Sequence, residues 1–520
     1  MNLTKRNPRK WLWLVCTAAY LAILGMLVLA ERSAPDASIQ SFSDALWYSL
    51  VTISTVGYGD LYPVTPLGRI LGVVFILLSL GLLAFLIGFA IQVVTGKILP
   101  AIRLWLVRGK TWYIFSCQNS AAYALAKNLA EQEPDCVLLF PPCSDCAPPE
   151  QLRYLIYYGS IEAVAARKKD RCCICFMDDT DTYEQASAVL QAGHPVCCRT
   201  EYSPDICPEN LTLFNPYDCC AQRYWQDHGL RQEERTVLLI GDGKFAENLL
   251  TRGLLLNVFD PERTIHYHVF GNWSHYLRNH HQLALTLCLN GGEPAMDQLY
   301  FHDAAWNADA GLLAAADRII LCQDTPEDNR EILGQIHQFF PVSGSIHLLC
   351  HSPLPGQTVF GTQDTIYTPQ LVLQEQLTCA ARIMHNIYRE ASGSDTPGWE
   401  SLSEFHRQSN IAAASHLLTK IRILLEDDTI RTITSENCCA AYACYLRSSP
   451  EQKELFRRIE HQRWMRFHSM YNWRYSPVRN NAAREHPLML PYEQLAPSDQ
   501  EKDDYAWELL KLLADKLRES

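Results

Sequence analysis

Two long apolar runs lie close together near the start of the chain, separated by a short amphipathic stretch and a glycine-containing loop. Trp11 to Ala30 is a run of 20 residues without a charge, long enough to cross a hydrocarbon core of about 30 Å as a helix. A second run, from Leu67 to Ile98, carries only Arg69 near its start and Lys97 near its end. Between them, Ser41 to Ser54 (SFSDALWYSLVTIS) has the spacing of a short amphipathic helix. From residue 111 the pattern changes. A strand-like TWYIFSC runs into a helix-like AAYALAKNLA, and near 236 TVLLI runs into GDGKFAENLL. Each is followed by a matched second pair, RCCICFMDDTDTYEQASAVL and DRIILCQDTPEDNREILGQI. Asp181 and Glu184 have the spacing of a capping box in the first of these pairs. In the second, Thr325 is expected as N-cap, with Pro326 at the first helical position. Strands alternating with helices at this spacing predict parallel, doubly wound sheets, hence two consecutive Rossmann-like units. Residues 391–398 (ASGSDTPG) read as a linker, and the chain beyond them is helical in pattern.

The loop after the amphipathic stretch reads Thr55-Val56-Gly57-Tyr58-Gly59-Asp60. Potassium in a narrow pore must exchange its water shell for rings of oxygen atoms, which backbone carbonyls supply when they face one axis. Gly57 and Gly59 tolerate the backbone angles this demands. The Thr55 hydroxyl would add a ring, and Val56 and Tyr58 would pack behind the filter. Trp47 and Tyr48 are placed to pack against Tyr58. One chain supplies a quarter of each ring, so the motif implies a homotetramer. The helix before it would aim the negative end of its dipole at the cation. Gly81 and Gly88, seven apart in the second run, read either as a gate hinge or as sites of close helix packing.

Lys5, Arg6, Arg9 and Lys10 precede the first run, and Lys97, Arg103, Arg108 and Lys110 surround the end of the second. The segment between has only Arg32 and Arg69. This asymmetry predicts a plasma (inner) membrane protein in contact with lipid, both termini cytoplasmic. No helix carries the regularly spaced arginines of a voltage sensor.

Composition narrows the remainder. With 45 basic and 57 acidic residues the net charge is −12, which leaves no electrostatic footprint for nucleic acid. Many of the 20 cysteines are adjacent in sequence, which suits reduced, buried thiols better than disulfides. Cys143 and Cys146, with Cys172, Cys173 or Cys175, form an alternative zinc or redox set. Asp178, Asp179 and Asp181 form an alternative calcium cluster. No nucleophile–base constellation marks an enzyme.

Residues 11–98 resemble the two-span potassium channels. Residues 111–390 resemble the RCK domains that pair into a ring below such channels; the stretch VFGTQDTIYTPQLVLQEQLTCAARIMHNIY is similar to the RCK tail that packs onto a neighbour. The first unit has Cys117, Asn119 and Ala122 where a nucleotide-binding turn has glycines. The second keeps Gly241, Gly243 and Ala246, though its next strand, IHYHVFGNW, lacks the acidic residue that holds a ribose. Glu460, His461, Trp464, Trp473, Tyr475, Arg479, His486, Pro487, Pro491, Tyr492, Leu495, Lys502 and Asp503 resemble the RyR domain of ryanodine receptors, with Ser476 and Asn480 departing from its pattern. The resemblances imply a helical tetrameric pore domain (1–98), two α/β Rossmann-like RCK domains (111–230 and 231–390) and a helical region (399–520) holding an RyR-like module at about 455–510. Arg463, Trp464, Arg466, Trp473, Tyr475 and Arg479 combine flat rings with guanidinium forks, a pairing suited to a base-plus-phosphate ligand. The expectation is a potassium channel gated by a nucleotide-derived messenger. Gating by calcium or by a docked protein, or opening to depolarise the cell in defence, are the alternatives.

Overall fold

The computed structural model describes the chain except residues 1–7, 55, 144–151, 169, 181, 191–192, 202–207, 209, 286, 290–296, 374, 393–396 and 520. It forms two compact units, Met1–Val107 and Arg108–Ser520.

In the first unit α1 (Pro8–Glu31), α2 (Phe42–Ile53) and α3 (Pro66–Val93) pack around Leu24, Leu27, Val28, Ile39 and Ala45. A reciprocal capping box, Ser41 with Asp44, starts α2. The buried Glu31 carboxylate fastens the end of α1 to the start of α3. It accepts hydrogen bonds from the Val64 and Thr65 amides (2.9 and 3.0 Å) and from the Thr65 hydroxyl (2.7 Å). Gly68 is required there, because a Cβ would lie 1.9 Å from Glu31 Oε1. The two spans expected from the sequence fall on α1 and α3. Among the described residues no helix is long and apolar enough to cross a membrane; the side chains of Trp11 to Cys16, at the head of the first run, lie outside the described set. Large apolar side chains along α3, including Ile70, Val73, Leu77, Phe85 and Phe89, are exposed in the single chain. After α3 comes a π-helical turn, Val94–Ile98, and then α4 (Leu99–Leu106).

The second unit holds two parallel sheets. The first comprises β1 (Trp112–Phe115), α5 (Ser120–Gln132), β2 (Val137–Phe140), β3 (Leu155–Ile156), α6 (Ile161–Ala165), β4 (Cys172–Phe176), α7 (Tyr183–Val189), β5 (Val196–Arg199), β6 (Leu211–Phe214) and α8 (Pro216–Asp227). Its strand order is β3-β2-β1-β4-β5-β6. Thr182 is the N-cap of α7; the capping box expected from Asp181 and Glu184 falls on Asp181, which lies outside the described residues. The second comprises β7 (Thr236–Ile240), α9 (Lys244–Leu256), β8 (His266–Phe270), α10 (Ser274–Asn279), β9 (Cys288–Leu289), β10 (Gln298–His302), α11 (Ala310–Ala315), β11 (Arg318–Leu321), α12 (Pro326–Phe339), β12 (Ser345–Leu349) and β13 (Thr358–Phe360). Its order is β13-β12-β11-β7-β8-β10-β9. Central strands such as β2 (VLLF) and β11 (RIIL) are buried at every position, as strands covered on both faces must be. The strand order reverses between β1 and β4 in one sheet and between β7 and β11 in the other, where doubly wound folds form their crevices.

The two sheets share one core. The Trp225 indole of α8 donates to Leu249 O of α9 at 2.8 Å, and a Cβ on Gly253 would meet the Trp225 ring at 2.8 Å. Beyond β13, α13 (Gln363–Ile366) and α14 (Pro369–Val372) return to the first sheet, where the Asn128 amide donates to Asp364 O and Tyr367 O at 2.8 Å.

The chain continues through α15 (Glu375–Ser392), α16 (Glu404–Leu425), α17 (Ser435–Arg447), α18 (Pro450–Met470), the short strands β14 (Arg474–Tyr475) and β15 (Glu485–His486), α19 (Pro497–Gln500) and α20 (Tyr505–Glu519). These helices close around Ile421, Phe456, Trp507 and Leu510. Inside, Glu460 lies 2.6 Å from the Nζ of the fully buried Lys420 and 2.7 Å from Arg463. Burial alone pushes the Glu460 carboxyl up, but Arg463 and Lys420 outweigh it and hold the group well below the carboxylate range.

Side chains of α16 and α18 terminate α9. The last carbonyls of a helix lack intrahelical partners and carry partial negative charge. Here Arg466 donates to Leu254 O at 3.0 Å and Thr419 to Leu256 O at 3.0 Å. His416 Nε2 donates to Val258 O just beyond, at 2.8 Å. Arg466 also meets the buried Asp297 carboxylate at 2.7 Å. Burial and neighbouring cations leave the imidazoles of His416 and His468 with pKa values lowered to about 3, desolvation being the main cause. Both therefore stay neutral when folded but charge on unfolding below the ordinary value of about 6.5. Stability from these two groups is intact above pH 6.5 and is lost as pH falls toward 3. The expected loss at pH 5 is about 2 kcal/mol for each. Melting curves at pH 7.5 and pH 5 check this: an equal midpoint at both would refute it.

Candidate functional site

The loop after α2 carries two glycines in an uncommon backbone conformation. Gly57 (φ +59°) and Gly59 (φ +73°) both occupy the left-handed region, which side chains with a Cβ resist. The Val56 and Gly57 amides turn back onto Val51 O, at 3.2 and 3.3 Å, at the C-terminal end of α2. Among the described residues no hydrogen bond reaches the carbonyls of Val56, Gly57, Tyr58 or Gly59. Within the described chain these carbonyls have no donor. Thr55 lies outside the described residues.

A bracket of aromatic and polar contacts holds the loop from behind. The Trp47 ring stacks on Tyr58 at 6.3 Å with 4° between planes, and its indole donates to Asp60 Oδ2 at 2.9 Å. Tyr48 takes a different place from the one expected. It packs with the helix core, its hydroxyl 3.4 Å from the position of a Cβ on Gly72. Trp47→Phe keeps the stack and removes the bond to Asp60. It is expected to shorten the open lifetime of the filter in single-channel recordings without loss of selectivity; unchanged lifetimes would show the bond to be idle.

The helix α3 runs unbroken through Gly81 and Gly88, and a Cβ at either would meet nothing within 4 Å in this chain. Neither glycine is therefore needed for packing within one chain. The helical irregularity lies further on, in the π turn Val94–Ile98, and such turns are frequent at functional sites.

In the second sheet the turn of Gly241, Gly243 and Ala246 is already filled. Gly241 (φ +153°) lets β7 approach β11 so closely that a Cβ would lie 2.6 Å from Cys322 O. Gly243 faces the Asp324 carboxylate, which a Cβ would meet at 2.2 Å. That carboxylate accepts from the Lys244 and Phe245 amides, both at 3.3 Å. An anion from the chain itself thus occupies the α9 N-terminus, where a nucleotide fold would seat phosphate. Lys244 is committed to Glu201. In the first sheet Asn119 caps α5 through the Ala122 amide (2.8 Å) and donates to Met177 O (2.9 Å), so side chains fill that turn as well.

The six residues expected to form one site in the C-terminal region are divided. Arg463, Arg466 and Trp473 are buried, and the guanidiniums are spent on Glu460 and Asp297. Trp464 and Trp473 join a ring cluster with His468, His486 and Phe405. Only Tyr475 and Arg479 are exposed, Arg479 on the wall of a shallow cup of about 500 Å³ with Val478 and Asn481. The expected stacking-plus-phosphate pocket is therefore not assembled from all six. Of the acidic cluster, Asp178 accepts from Ser116 and Asp179 pairs with Arg199. Among the described residues no three His, Cys, Asp or Glu side chains are grouped to hold a metal ion. Cys146 lies outside the described residues.

Three features had weaker sequence signals: the Glu31 clasp, Asp324 at the α9 N-terminus, and the Arg466–Asp297 pair.

Comparison with known proteins bears on the first unit. Residues 12–96 match the ion channel family. The chain is 44% identical over 62 residues to a voltage-gated potassium channel of Aeropyrum pernix, covering 12% of this chain and 21% of that protein. It is 36% identical over 58 residues to the calcium-gated potassium channel TvoK of Thermoplasma volcanium, covering 11% and 17%. Over 129 residues, 21% of this chain and 18% of the relative, it is 32% identical to potassium voltage-gated channel subfamily KQT member 4 of Rattus norvegicus. The chain thus spans about a fifth of the length of the curated relatives it matches. Among solved structures the GsuK channel aligns over 72% of this chain and 86% of its own, with 11% identity and a TM-score of 0.29.

Proposed function

We propose that this chain is one subunit of a homotetrameric potassium-selective channel in the plasma (inner) membrane, both termini cytoplasmic, gated by a nucleotide-derived ligand. The observation that carries the reading is the loop Val56–Asp60. Two left-handed glycines, four unbonded carbonyls and a Trp47–Tyr58–Asp60 bracket stand at the negative end of α2. Four such loops around an axis would replace the hydration shell of potassium with carbonyl rings. The exposed apolar surface of α3 suits contact with lipid and neighbouring subunits.

On this reading the filter stays fixed and the inner part of the pore moves, with the π turn after α3 as its point of flexure. A ligand shifts that equilibrium only through tighter binding to the open form. Going from mostly shut to mostly open takes about 5.5 kcal/mol, or about 1.4 kcal/mol for each of four sites. The turn of the second unit, the one expected to take a nucleotide, is occupied by Asp324, which moves the search for the ligand elsewhere. Bi-ionic recordings from reconstituted protein test the pore. Potassium passing in large excess over sodium is expected, and equal permeation would refute selectivity.

A further inference from the structure

A cleft of about 400 Å³ opens where the two sheets and the C-terminal helices meet. Its size falls in the range of small-molecule sites, which favour domain junctions. One wall is apolar: Leu255 of α9, Ala412 of α16, and Phe467 and Met470 of α18. At its side the guanidinium of Arg252 is held bidentately by Asp218, at 2.5 and 2.6 Å, so this pair adds no net charge. His280 gives its Nδ1 to Met470 O, and burial lowers its pKa, so it too is neutral. Glu201 is paired with Lys244.

What remains is polar and unspent. Asn215 uses its side-chain oxygen to cap α8, leaving the amide NH₂. Gln408 donates to Glu404, leaving its carbonyl. Arg484 gives one N–H to Tyr471 O at 2.6 Å and has the rest of its fork, with no carboxylate partner among the described residues. The backbone around this wall is strained. Asn472 (φ +62°) and Arg484 (φ +54°) both line the cleft, and they are two of four such non-glycine residues in the described chain. Backbone of this kind gathers at ligand clamps.

We propose that this cleft binds a mononucleotide-sized ligand, its ring against Leu255, Phe467 and Met470 and its phosphate on the Arg484 fork. A guanidinium fork fits phosphate oxygens bidentately, and the Asn215 and Gln408 groups offer one donor and one acceptor to a ring edge or sugar. The site is argued from its own residues; that its occupation moves the gate rests on the channel reading above. A ligand there would touch the start of α8, α9 and α18 at once.

The test uses the purified full chain in detergent, with AMP, adenosine and inorganic phosphate titrated by calorimetry. AMP is expected to bind one per chain, adenosine at least tenfold more weakly, and phosphate alone not measurably. Asn248→Trp, which fills the cleft from a partly exposed helix position, and Arg484→Glu are each expected to weaken AMP at least tenfold with unchanged melting temperature. Absence of AMP binding, equal binding of adenosine, or AMP affinity unchanged in both variants would overturn the site. Potassium flux is measured alongside to separate the two claims. AMP binding without any change in flux supports the site and counts against ligand gating. Flux opened by AMP in Asn248→Trp, with affinity intact, overturns the site and leaves gating standing.

Discussion

Replacing Gly57 with alanine is expected to reduce potassium flux through reconstituted protein to that of empty liposomes, if the chain forms the proposed pore. The cause is conformational, not crowding within the chain. A Cβ at Gly57 would meet nothing within 4 Å, but the residue sits at φ +59°, where an L side chain costs about 1–2 kcal/mol. In the proposed tetramer four subunits would incur that cost around one axis. The cheapest relief is rotation of the peptide, which takes a carbonyl out of its ring and removes a potassium site. Gly25→Ala is the control. Gly25 lies within α1, has no neighbour within 4 Å of an added Cβ and has no left-handed backbone, so its flux stays at the wild-type level. Flux that survives Gly57→Ala would mean these carbonyls do not coordinate the ion.

Arg466→Met is expected to cost about 3–5 kcal/mol, because it leaves the Asp297 carboxylate buried without its cation. The same change strips Leu254 O of its donor at the end of α9. Burial already pushes the Asp297 carboxyl up, with Arg466 working against it. Without Arg466 the group stays protonated in the fold well above its unfolded pKa of about 3.9. Its penalty is therefore smaller at low pH and grows as pH rises. Thermal melting should show a larger deficit at pH 8 than at pH 5.5, and Asp297→Asn in the same background should restore much of it. A single variant that melts like the wild type would show the pair to be unformed.

What could be read from sequence depended on how local the determining forces are. The backbone of the loop was legible because Gly57 and Gly59 announce it, and both adopt the left-handed region; that the loop selects potassium is the proposal made above. The two parallel sheets were legible because strand and helix periods alternate within short windows. Thr325 and Pro326 begin α12 where the cap pattern put them. The C-terminal residues were misjudged for a different reason. Arg463, Arg466 and Trp473 have the composition of a ligand pocket, yet Glu460 and the distant Asp297 claim the charges and α16 covers the ring. A pairing across 169 positions, from 297 to 466, has no signature in a single sequence. Asp324 illustrates the same limit, since only the fold brings it beneath Gly243. The junction cleft is the extreme case, with walls drawn from segments more than 200 residues apart.

The most direct measurement is potassium flux from liposomes containing the full chain, with cyclic and adenine nucleotides added to the cytoplasmic side. The account predicts low flux in their absence and a rise with one of them, absent in Gly57→Ala. Equal flux with every compound and with none would contradict ligand gating by nucleotides.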